Sequence, residues 1–430
     1  MPCMSSSFDD RRRLESLDRQ ALEQHQLARL NALLDRVVPE NRFYAEKLAG
    51  IRRPVQSLSE LADWHYTFKE ELIGTHDRQD LASNLTWPRE RYSRFHQTSG
   101  TRGRPMIVLD AAEDWPWWMD CWQFVLDAAE IGPGDCAFFA FSFGPFIGFW
   151  SAFDAAAERG CLVVPGGGLT SRARLDLIAR FGAAGLFCTP SYALHLAEIA
   201  EEEKQNLATL GVRALVLAGE PGASIPAVRA RIEQAWQCRV IDHAGASEIG
   251  PWGYGYATGG GMHVNEAEFI AEFLSVETGG PAAEGELSEL VLTTLGRAGA
   301  PVFRYRTGDL VRPTWRRRGS NRFVFLEGGV IDRADDMVVI RGVNIYPSSL
   351  DQILRGFPEV VEYRITARTA EAMDGLFAEV EDRLQQPERV AEELHLRLGL
   401  RVEVVLVPLG SLPRFEGKGR RFIDERTRTL

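Results

Sequence analysis

The sequence is poor in cysteine and lacks the spacings that would make its cysteines structural. Six cysteines are scattered among 430 residues, with no C-x-x-C pair and no histidine at metal-ligand spacing. This pattern argues against a disulfide framework or a zinc finger and is typical of reduced thiols in a cytoplasmic protein. A signal peptide is not expected either, because charged residues interrupt the apolar ones between Leu14 and Leu34.

The sequence also lacks long basic blocks and long apolar runs. Sixty acidic residues against 49 basic ones give a net charge of -11, and the longest basic runs are the arginines at 11–13 and 316–318. We therefore expect no nucleic-acid partner, since phosphate backbones require a concentrated basic surface. The uncharged stretch 136–153 is interrupted by a Gly-Pro turn at 144–145, so we expect no membrane anchor.

From about residue 106 the sequence alternates short apolar runs with amphipathic segments, which predicts an α/β fold. Such alternation implies parallel strands with helices on both faces of the sheet. The predicted strands are 137–141, 161–165, 185–188, 214–217 and 239–241. The predicted helices are 115–129, 147–158, 171–181, 192–202 and 225–236.

Two domains are expected. Residues 1–334 form a large N-terminal domain, which begins with an amphipathic helix carrying Leu14 to Leu34 on one face. It ends, after Gly261, in a β subdomain with strands at 268–275, 289–294 and 323–325. Residues 335–430 form a small α+β domain, with strands at 338–341, 361–366 and 402–407 and helices at 348–355 and 387–398.

A segment rich in hydroxyls and glycine, 98–105, is the first of five motifs that carry chemistry. Backbone N–H groups and side-chain hydroxyls can wrap a phosphate there, because glycine permits close approach and a positive φ. The segment is not a Walker A motif, which needs G-x-x-x-x-G-K-[ST]. Taken alone, it could equally be an ordinary glycine-rich turn.

Two further motifs place carboxylates after predicted strands. The segment 242–248 follows the strand 239–241, and Glu248 there could hold a divalent cation on a nucleotide. The alternative is a helix-capping pair of Ser247 and Glu248. In the segment 305–309, Asp309 could accept both hydroxyls of a ribose.

The last two motifs are 332–336, with Gly342 to Asn344 just beyond, and 417–421. Taken alone, Lys418 between two glycines is an ordinary solvated lysine. In this order and together, the five motifs resemble those of the adenylate-forming superfamily, and within it most closely phenylacetate-CoA ligases and related aryl-CoA ligases. Further similar segments extend the resemblance over nearly the whole chain: 39–44, 68–72, 219–221, 261–264, 293–295, 335–337 and 340–347.

The resemblance implies a reaction in two steps with ATP, Mg²⁺ and coenzyme A. A carboxylate and ATP would give an acyl-adenylate and pyrophosphate, and a thiol would then displace AMP. The resemblance assigns catalytic roles to Lys418, Glu248 and Arg104, and metal binding to Glu248 and Thr101. Nucleotide and coenzyme binding is assigned to Thr98, Ser99, Gly100, Thr101, Gly103, Gly219, Glu220, Pro221, Asp242, His243, Ala244, Asp309, Arg333 and Gly342.

The same resemblance implies that the small domain is mobile. Lys418 lies in the small domain while the other catalytic groups lie in the large one, so the domains must close for adenylation. In the family they then rotate about a hinge, here Asp335, which brings the face with Gly342 to the site. That face forms the thiol tunnel, where a glycine leaves room for the pantetheine chain.

The chain departs from the family pattern at the nucleotide site. Arg102 and Arg104 stand where relatives commonly carry Thr and Lys, and guanidinium groups keep the charge and can grip phosphate. Ala244 stands where relatives often carry a tyrosine that stacks on adenine. We expect this loss to weaken the affinity for ATP.

The acid pocket is expected to accept a small aromatic carboxylic acid. Phe141, Phe143, Gly245, Ile249 and Trp252 cluster around the predicted crevice, although aromatic residues there could equally be ordinary core. Other acceptors than coenzyme A stay open, namely an amine, a hydroxyl or a carrier-protein thiol, as does a homodimer. A decayed binding protein is disfavoured, because Lys418, Glu248 and Asp309 are all retained.

Overall fold

The computed structural model describes residues 6–73, 81–98, 105–256, 258–316, 319–334, 337–341, 343–370, 373–414 and 421–426. These contain eleven α-helices: α1 (Phe8–Glu15), α2 (Arg19–Val37), α3 (Arg42–Lys47), α4 (Lys69–Leu72), α5 (Trp115–Ala128), α6 (Trp150–Glu158), α7 (Ser171–Phe181), α8 (Pro190–Glu202), α9 (Pro226–Trp236), α10 (Pro347–Arg355) and α11 (Pro387–Leu398). Short 3₁₀ helices lie at Leu58–Asp63, Arg89–Arg91 and Leu207–Thr209.

Twenty-one strands are present in the same part of the chain. They are β1 (Tyr92–Gln97), β2 (Ile107–Ala111), β3 (Cys136–Phe139), β4 (Leu162–Pro165), β5 (Gly185–Cys188), β6 (Ala214–Leu217), β7 (Arg239–Ala246), β8 (Gly250–Gly255), β9 (Gly261–Val264), β10 (Phe269–Ser275), β11 (Ser288–Thr294), β12 (Tyr305–Val311), β13 (Pro313–Thr314), β14 (Phe325–Glu327), β15 (Asp332–Arg333), β16 (Val338–Ile340), β17 (Val343–Ile345), β18 (Val360–Ala370), β19 (Met373–Asp382), β20 (Val402–Leu406) and β21 (Phe422–Asp424).

A nine-stranded sheet in the order β13-β14-β9-β8-β7-β6-β5-β3-β4 organises the larger domain. The strands β4, β3, β5, β6 and β7 are parallel, as predicted. Both faces are covered, so successive residues pack on opposite sides: Phe139 lies in one apolar cluster with Trp122, and Phe138 in another with Leu186. The α/β prediction is confirmed.

The helix α7 shows why several predicted boundaries agree with the structure. Thr170 caps its first turn by accepting a hydrogen bond from the Ala173 N–H at 3.3 Å. Gly182 ends it with a φ of 56°, a left-handed conformation that suits glycine. Local residues therefore fix both ends of this helix.

The predicted helix carrying Leu14 to Leu34 on one face is wrong, because the chain breaks between α1 and α2. Asp18 accepts a hydrogen bond from the Ala21 N–H at 2.8 Å and so starts a new helix at Arg19. The helix predicted from residue 147 likewise begins only at Trp150.

Two predictions about strands are also wrong. The strand predicted at 239–241 continues to Ala246, because β8 folds back and pairs antiparallel with it. The segment 242–246 is therefore part of a strand and does not follow one. The strand predicted at 323–325 lies instead at Phe325–Glu327, and β19 was not predicted at all.

Four smaller sheets are found in the described residues: the two-stranded pairs β1-β2 and β16-β17, and two sheets of four strands. The strands β10, β11, β12 and β15 form an antiparallel four-stranded sheet in the large domain. The strands β20, β19, β18 and β21 form a mixed four-stranded sheet that packs with α10 and α11 around a separate apolar cluster. The C-terminal part is thus α+β as predicted, while the boundary at residue 334 stays a prediction.

No helix in the described ranges is both long enough and apolar enough to span a bilayer.

Candidate active site

The hydroxyl- and glycine-rich segment connects the two strands of a hairpin. β1 and β2 pair antiparallel, and the Thr98 N–H donates to the Met106 carbonyl at 3.0 Å. The Met106 N–H in turn donates to Thr98 Oγ1 at 3.0 Å. Ser99, Gly100, Thr101, Gly103 and Arg104 lie outside the described residues, so their predicted contacts with phosphate stay predictions.

Glu248 lies in the turn between β7 and β8 and is buried, with 8% of its surface exposed. Because this turn joins two antiparallel strands, Ser247 and Glu248 do not cap a helix, and that alternative is wrong. The Tyr305 hydroxyl donates to Glu248 Oε1 at 3.1 Å, and Lys69 Nζ lies 3.3 Å from the same oxygen. The carboxylate is thus held from two sides.

The charge of Glu248 depends on Lys69. Burial alone would raise the pKa of the Glu248 carboxyl, but the Lys69 ammonium and the Tyr305 hydroxyl together hold it below its usual range. Glu248 is therefore ionised, as a ligand for a divalent cation must be. Lys69 lies in the segment 68–72 that resembles the family, and its local sequence does not indicate a role at Glu248.

Replacing Lys69 with methionine should shift the acid limb of the pH-activity profile to higher pH. Without the ammonium the pKa of Glu248 rises, so the carboxylate becomes protonated at a higher pH and activity is lost earlier as pH falls. Lys47→Met is a matched control, because Lys47 pairs with Glu71 at 2.7 Å outside the candidate site. If the acid limb of Lys69→Met lies at the same pH as that of the wild type, Lys69 does not lower the pKa of Glu248.

Asp309 and Arg333, both assigned to nucleotide binding by the resemblance, lie next to each other. They lie opposite each other on β12 and β15, and Arg333 Nη1 donates to Asp309 Oδ1 at 3.0 Å. Asp309 is nearly buried, and Tyr305 on the same strand contacts Glu248. One strand therefore carries the candidate ribose-binding group and a partner of the candidate metal ligand.

The other predicted nucleotide-binding residues lie just after the carboxyl end of β6, at 219–221, and on β7, at 242–244. Glu220, between Gly219 and Pro221, accepts a hydrogen bond from the Ser191 N–H at 2.7 Å. Asp242 is buried, which raises its pKa to about 6, and it accepts a hydrogen bond from the Ser224 hydroxyl. These side chains line the end of the sheet where ligands of open α/β folds bind.

His243 is a neutral residue in this arrangement. Burial lowers its pKa to about 3, and Nδ1 donates to the Gly253 carbonyl at 2.8 Å. Its ring centroid lies 4.0 Å from that of Trp122. His243 therefore cannot offer a positive charge to a phosphate near neutral pH.

Ala244 is half-buried on β7, opposite Gly253. We expect Ala244→Tyr to lower the Michaelis constant for ATP by several-fold, since an aromatic stack contributes about 1 kcal/mol. Steady-state kinetics at saturating acid and coenzyme A measure this. An unchanged constant in a folded variant would contradict the role given to this position.

The predicted acid-pocket residues divide between two apolar clusters. The rings of Phe141 and Phe143 are tilted with their centroids 4.3 Å apart, in the cluster that contains Trp122. Ile249 and Trp252 are each 1% exposed and lie in the other cluster, with Trp117 and Trp118. Gly245 is exposed between them in sequence, on β7. All five residues are described, and their contact with the acid stays a prediction.

The segment that carries Lys418 is bounded by two arginines that face the large domain. Arg414 pairs with Glu381 at 2.8 Å and reaches within 4.0 Å of Glu198 on α8. Arg421 donates to both Glu362 oxygens, at 2.6 and 2.9 Å, and lies 3.6 Å from Glu220. Lys418 itself, Gly342 and the predicted hinge Asp335 lie outside the described residues.

Comparisons with known proteins agree with this architecture. A family profile described as the AMP-binding enzyme C-terminal domain matches residues 342–426. The chain is 32% identical over 448 residues to a phenylacetate-coenzyme A ligase of Thermus thermophilus, an alignment that covers 96% of this chain and 98% of the relative.

Solved structures of a 2-hydroxyisobutyryl-CoA ligase are similar in fold. In its postadenylation state, with an acyl-adenylate bound, that enzyme superposes with a TM-score of 0.89 at 27% identity, covering 98% of this chain and 94% of the other. In its thioesterification state, with coenzyme A also bound, the TM-score is 0.73 at 28% identity and the same coverage. The arrangement of this chain is therefore closer to that of the postadenylation state.

Proposed function

The chain belongs to the phenylacetate-CoA ligase family of adenylate-forming enzymes, and on that premise we propose that it activates an aromatic carboxylic acid with ATP and transfers the acyl group to coenzyme A. The products are an aryl-CoA thioester, AMP and pyrophosphate. The proposal rests on the position of β12. This strand carries Tyr305, which donates to the buried, ionised Glu248, and Asp309, which pairs with Arg333. A nucleotide with a bound cation needs a carboxylate for the cation, as Glu248 offers, and an acceptor for the ribose hydroxyls, as Asp309 offers.

In the first half-reaction a carboxylate oxygen attacks the α-phosphorus of ATP, and the bond from that phosphorus to the pyrophosphate oxygen breaks. Both reactants are anions, so the protein must neutralise charge and fix their positions. Asp309 would accept the ribose hydroxyls while Arg333 orients its carboxylate at 3.0 Å. Lys418 would lie between the acid and the α-phosphate.

The residues present fit a magnesium ion. Mg²⁺ prefers oxygen ligands and is usually bound through one or two carboxylates together with substrate phosphates. Glu248 supplies a carboxylate that is held ionised, and Thr101 would add a hydroxyl. When bound, the ion would neutralise charge on the phosphates. Lys69, at 3.3 Å from Glu248, keeps the carboxylate in place before the nucleotide arrives.

In the second half-reaction the thiol sulfur of coenzyme A bonds to the acyl carbon, the bond from that carbon to AMP breaks, and the thiol proton passes to solvent. This step needs Gly342 near the acyl group in place of Lys418. The chain superposes on two states of the 2-hydroxyisobutyryl-CoA ligase with different TM-scores, 0.89 and 0.73. This difference supports the view that such folds occupy two domain arrangements. The Arg421–Glu220 and Arg414–Glu198 contacts would break in the change.

The proposal is tested by mass spectrometry of products from ATP, Mg²⁺ and phenylacetate, with and without coenzyme A. We expect an aryl-CoA and AMP in equal amounts, and little AMP when coenzyme A is left out. If AMP is released at the same rate with and without coenzyme A, the acceptor is an amine, a hydroxyl or a carrier protein. If no acid in a panel of aromatic acids supports pyrophosphate exchange, the proposal is overturned.

A further inference from the structure

Arg297 is a fully buried arginine in the connection between β11 and β12, outside every motif identified in the sequence. Its Nε donates to Asp110 Oδ1 at 2.8 Å, and its Nη1 donates to the Ser247 carbonyl at 2.9 Å. The planar guanidinium thus spans two elements that are distant in sequence. Such a fork has fixed geometry, unlike the flexible ammonium of lysine.

The first of these elements is the hairpin whose connection is the predicted phosphate-binding segment. Asp110 lies on β2 with no exposed surface, and also accepts a hydrogen bond from Trp118 Nε1 at 2.9 Å. His96, on the partner strand β1, places Nδ1 3.7 Å from Asp110 Oδ2. Arg297 is therefore attached to the stem of this hairpin, where Asp110 pairs with Arg94.

The second element is the turn that carries Glu248. Ser247 immediately precedes Glu248, so the Arg297 bond to the Ser247 carbonyl fixes the backbone at the candidate metal ligand. Lys69 and Tyr305 hold the side chain of Glu248, and Arg297 holds its backbone. Without Arg297, the hairpin would lose its ion pair and the turn would lose a hydrogen bond to the same guanidinium group.

The connection that carries Arg297 is itself fixed against the hairpin. The Gly299 N–H donates to Asp114 Oδ1 at 3.0 Å, and the Ala111 N–H donates to Asp114 Oδ2 at 3.1 Å. A Cβ at Gly299 would lie 2.3 Å from Asp114 Oδ2, so only glycine permits this approach. Arg297 therefore enters from a backbone with little freedom to move.

A buried ion pair is weak evidence for stability, because apolar residues of similar volume often stabilise a core equally well. The geometry points instead to a functional use. We propose that Arg297 and Asp110 are positioning residues for adenylation, which fix the distance between the phosphate-binding hairpin and Glu248. This inference rests on the proposed function. Only the first half-reaction uses the β- and γ-phosphates of ATP, so only that step should depend on Arg297 and Asp110.

The test compares the two half-reactions in the full-length chain. Adenylation is measured as pyrophosphate exchange with phenylacetate, and thioester formation is measured with coenzyme A and supplied phenylacetyl-adenylate. Arg297→Lys keeps the buried charge but loses the fork, and Asp110→Asn/Arg297→Met replaces both charges with groups of similar shape. Arg11→Lys is the matched control, because Arg11 forms a buried fork with Asp127 at 2.7 and 2.9 Å on α1.

Both site variants should lose adenylation activity on the order of 100-fold, with a higher Michaelis constant for Mg-ATP, because small misplacements of catalytic groups have effects of this size. Thioester formation from supplied adenylate should remain at the wild-type rate. Arg11→Lys should change both steps equally or neither. If the site variants behave like Arg11→Lys, the positioning role is overturned. A wild-type chain that performs neither step would overturn the proposed function instead.

Discussion

Replacing Lys418 with alanine should strongly slow adenylate formation while leaving the conversion of supplied phenylacetyl-adenylate to thioester intact. In the first step the ammonium would neutralise charge that develops between the acid and the α-phosphate. Loss of one such preorganised group lowers the rate on the order of 100- to 1000-fold. The second step does not use Lys418, because the small domain would present its other face.

The described residues on either side of Lys418 support this expectation. Arg414 and Arg421 reach Glu198 and Glu220 of the large domain, and Glu220 is one of the candidate nucleotide-binding residues. Lys204→Ala, at an exposed lysine after α8, is a suitable control. Single-turnover measurements of both steps decide the matter. Equal loss of both steps in Lys418→Ala would contradict the two-arrangement mechanism.

Replacing Gly342 with leucine should have the opposite effect, blocking thioester formation and sparing pyrophosphate exchange. β16 and β17 pair antiparallel with Ile340 opposite Val343, and Gly342 lies between these two residues in the sequence. A side chain at position 342 would occupy the space proposed for the pantetheine chain. We expect thioester formation to fall on the order of 100-fold, the effect of misplacing a reacting group.

Gly132→Leu is the control for Gly342→Leu. Gly132 has open space around the position of a Cβ and does not need a positive φ, so a larger side chain should be tolerated there. The rates of the two half-reactions are compared in both variants. If Gly342→Leu retains thioester formation, the tunnel does not pass this residue.

The parallel core could be predicted closely because its signals are local. The bounds predicted for the strands 185–188 and 214–217 are those observed, since each is a short continuous apolar run between two predicted helices. The extension of β7 through 242–246 is not predicted, because it depends on pairing with β8, which the local sequence Asp-His-Ala-Gly-Ala does not reveal. β19 was missed although Leu376, Ala378 and Val380 alternate as buried residues.

The candidate site shows a similar division. The pairing of Asp309 with Arg333 could be anticipated, because both lie in motifs that resemble a known family. The contact between Lys69 and Glu248 could not, since nothing in either local sequence specifies a partner so far along the chain. Arg297 and Asp110 lie outside any motif, and only the fold brings them to the hairpin and the turn.

A crystal structure with Mg²⁺ and a non-hydrolysable ATP analogue is the sharpest test of the proposed nucleotide site. We expect the triphosphate between the connection that follows Thr98 and the turn with Glu248. We also expect the ribose hydroxyls within hydrogen-bonding distance of the Asp309 carboxylate. A nucleotide bound away from both Glu248 and Asp309 would contradict the proposed function.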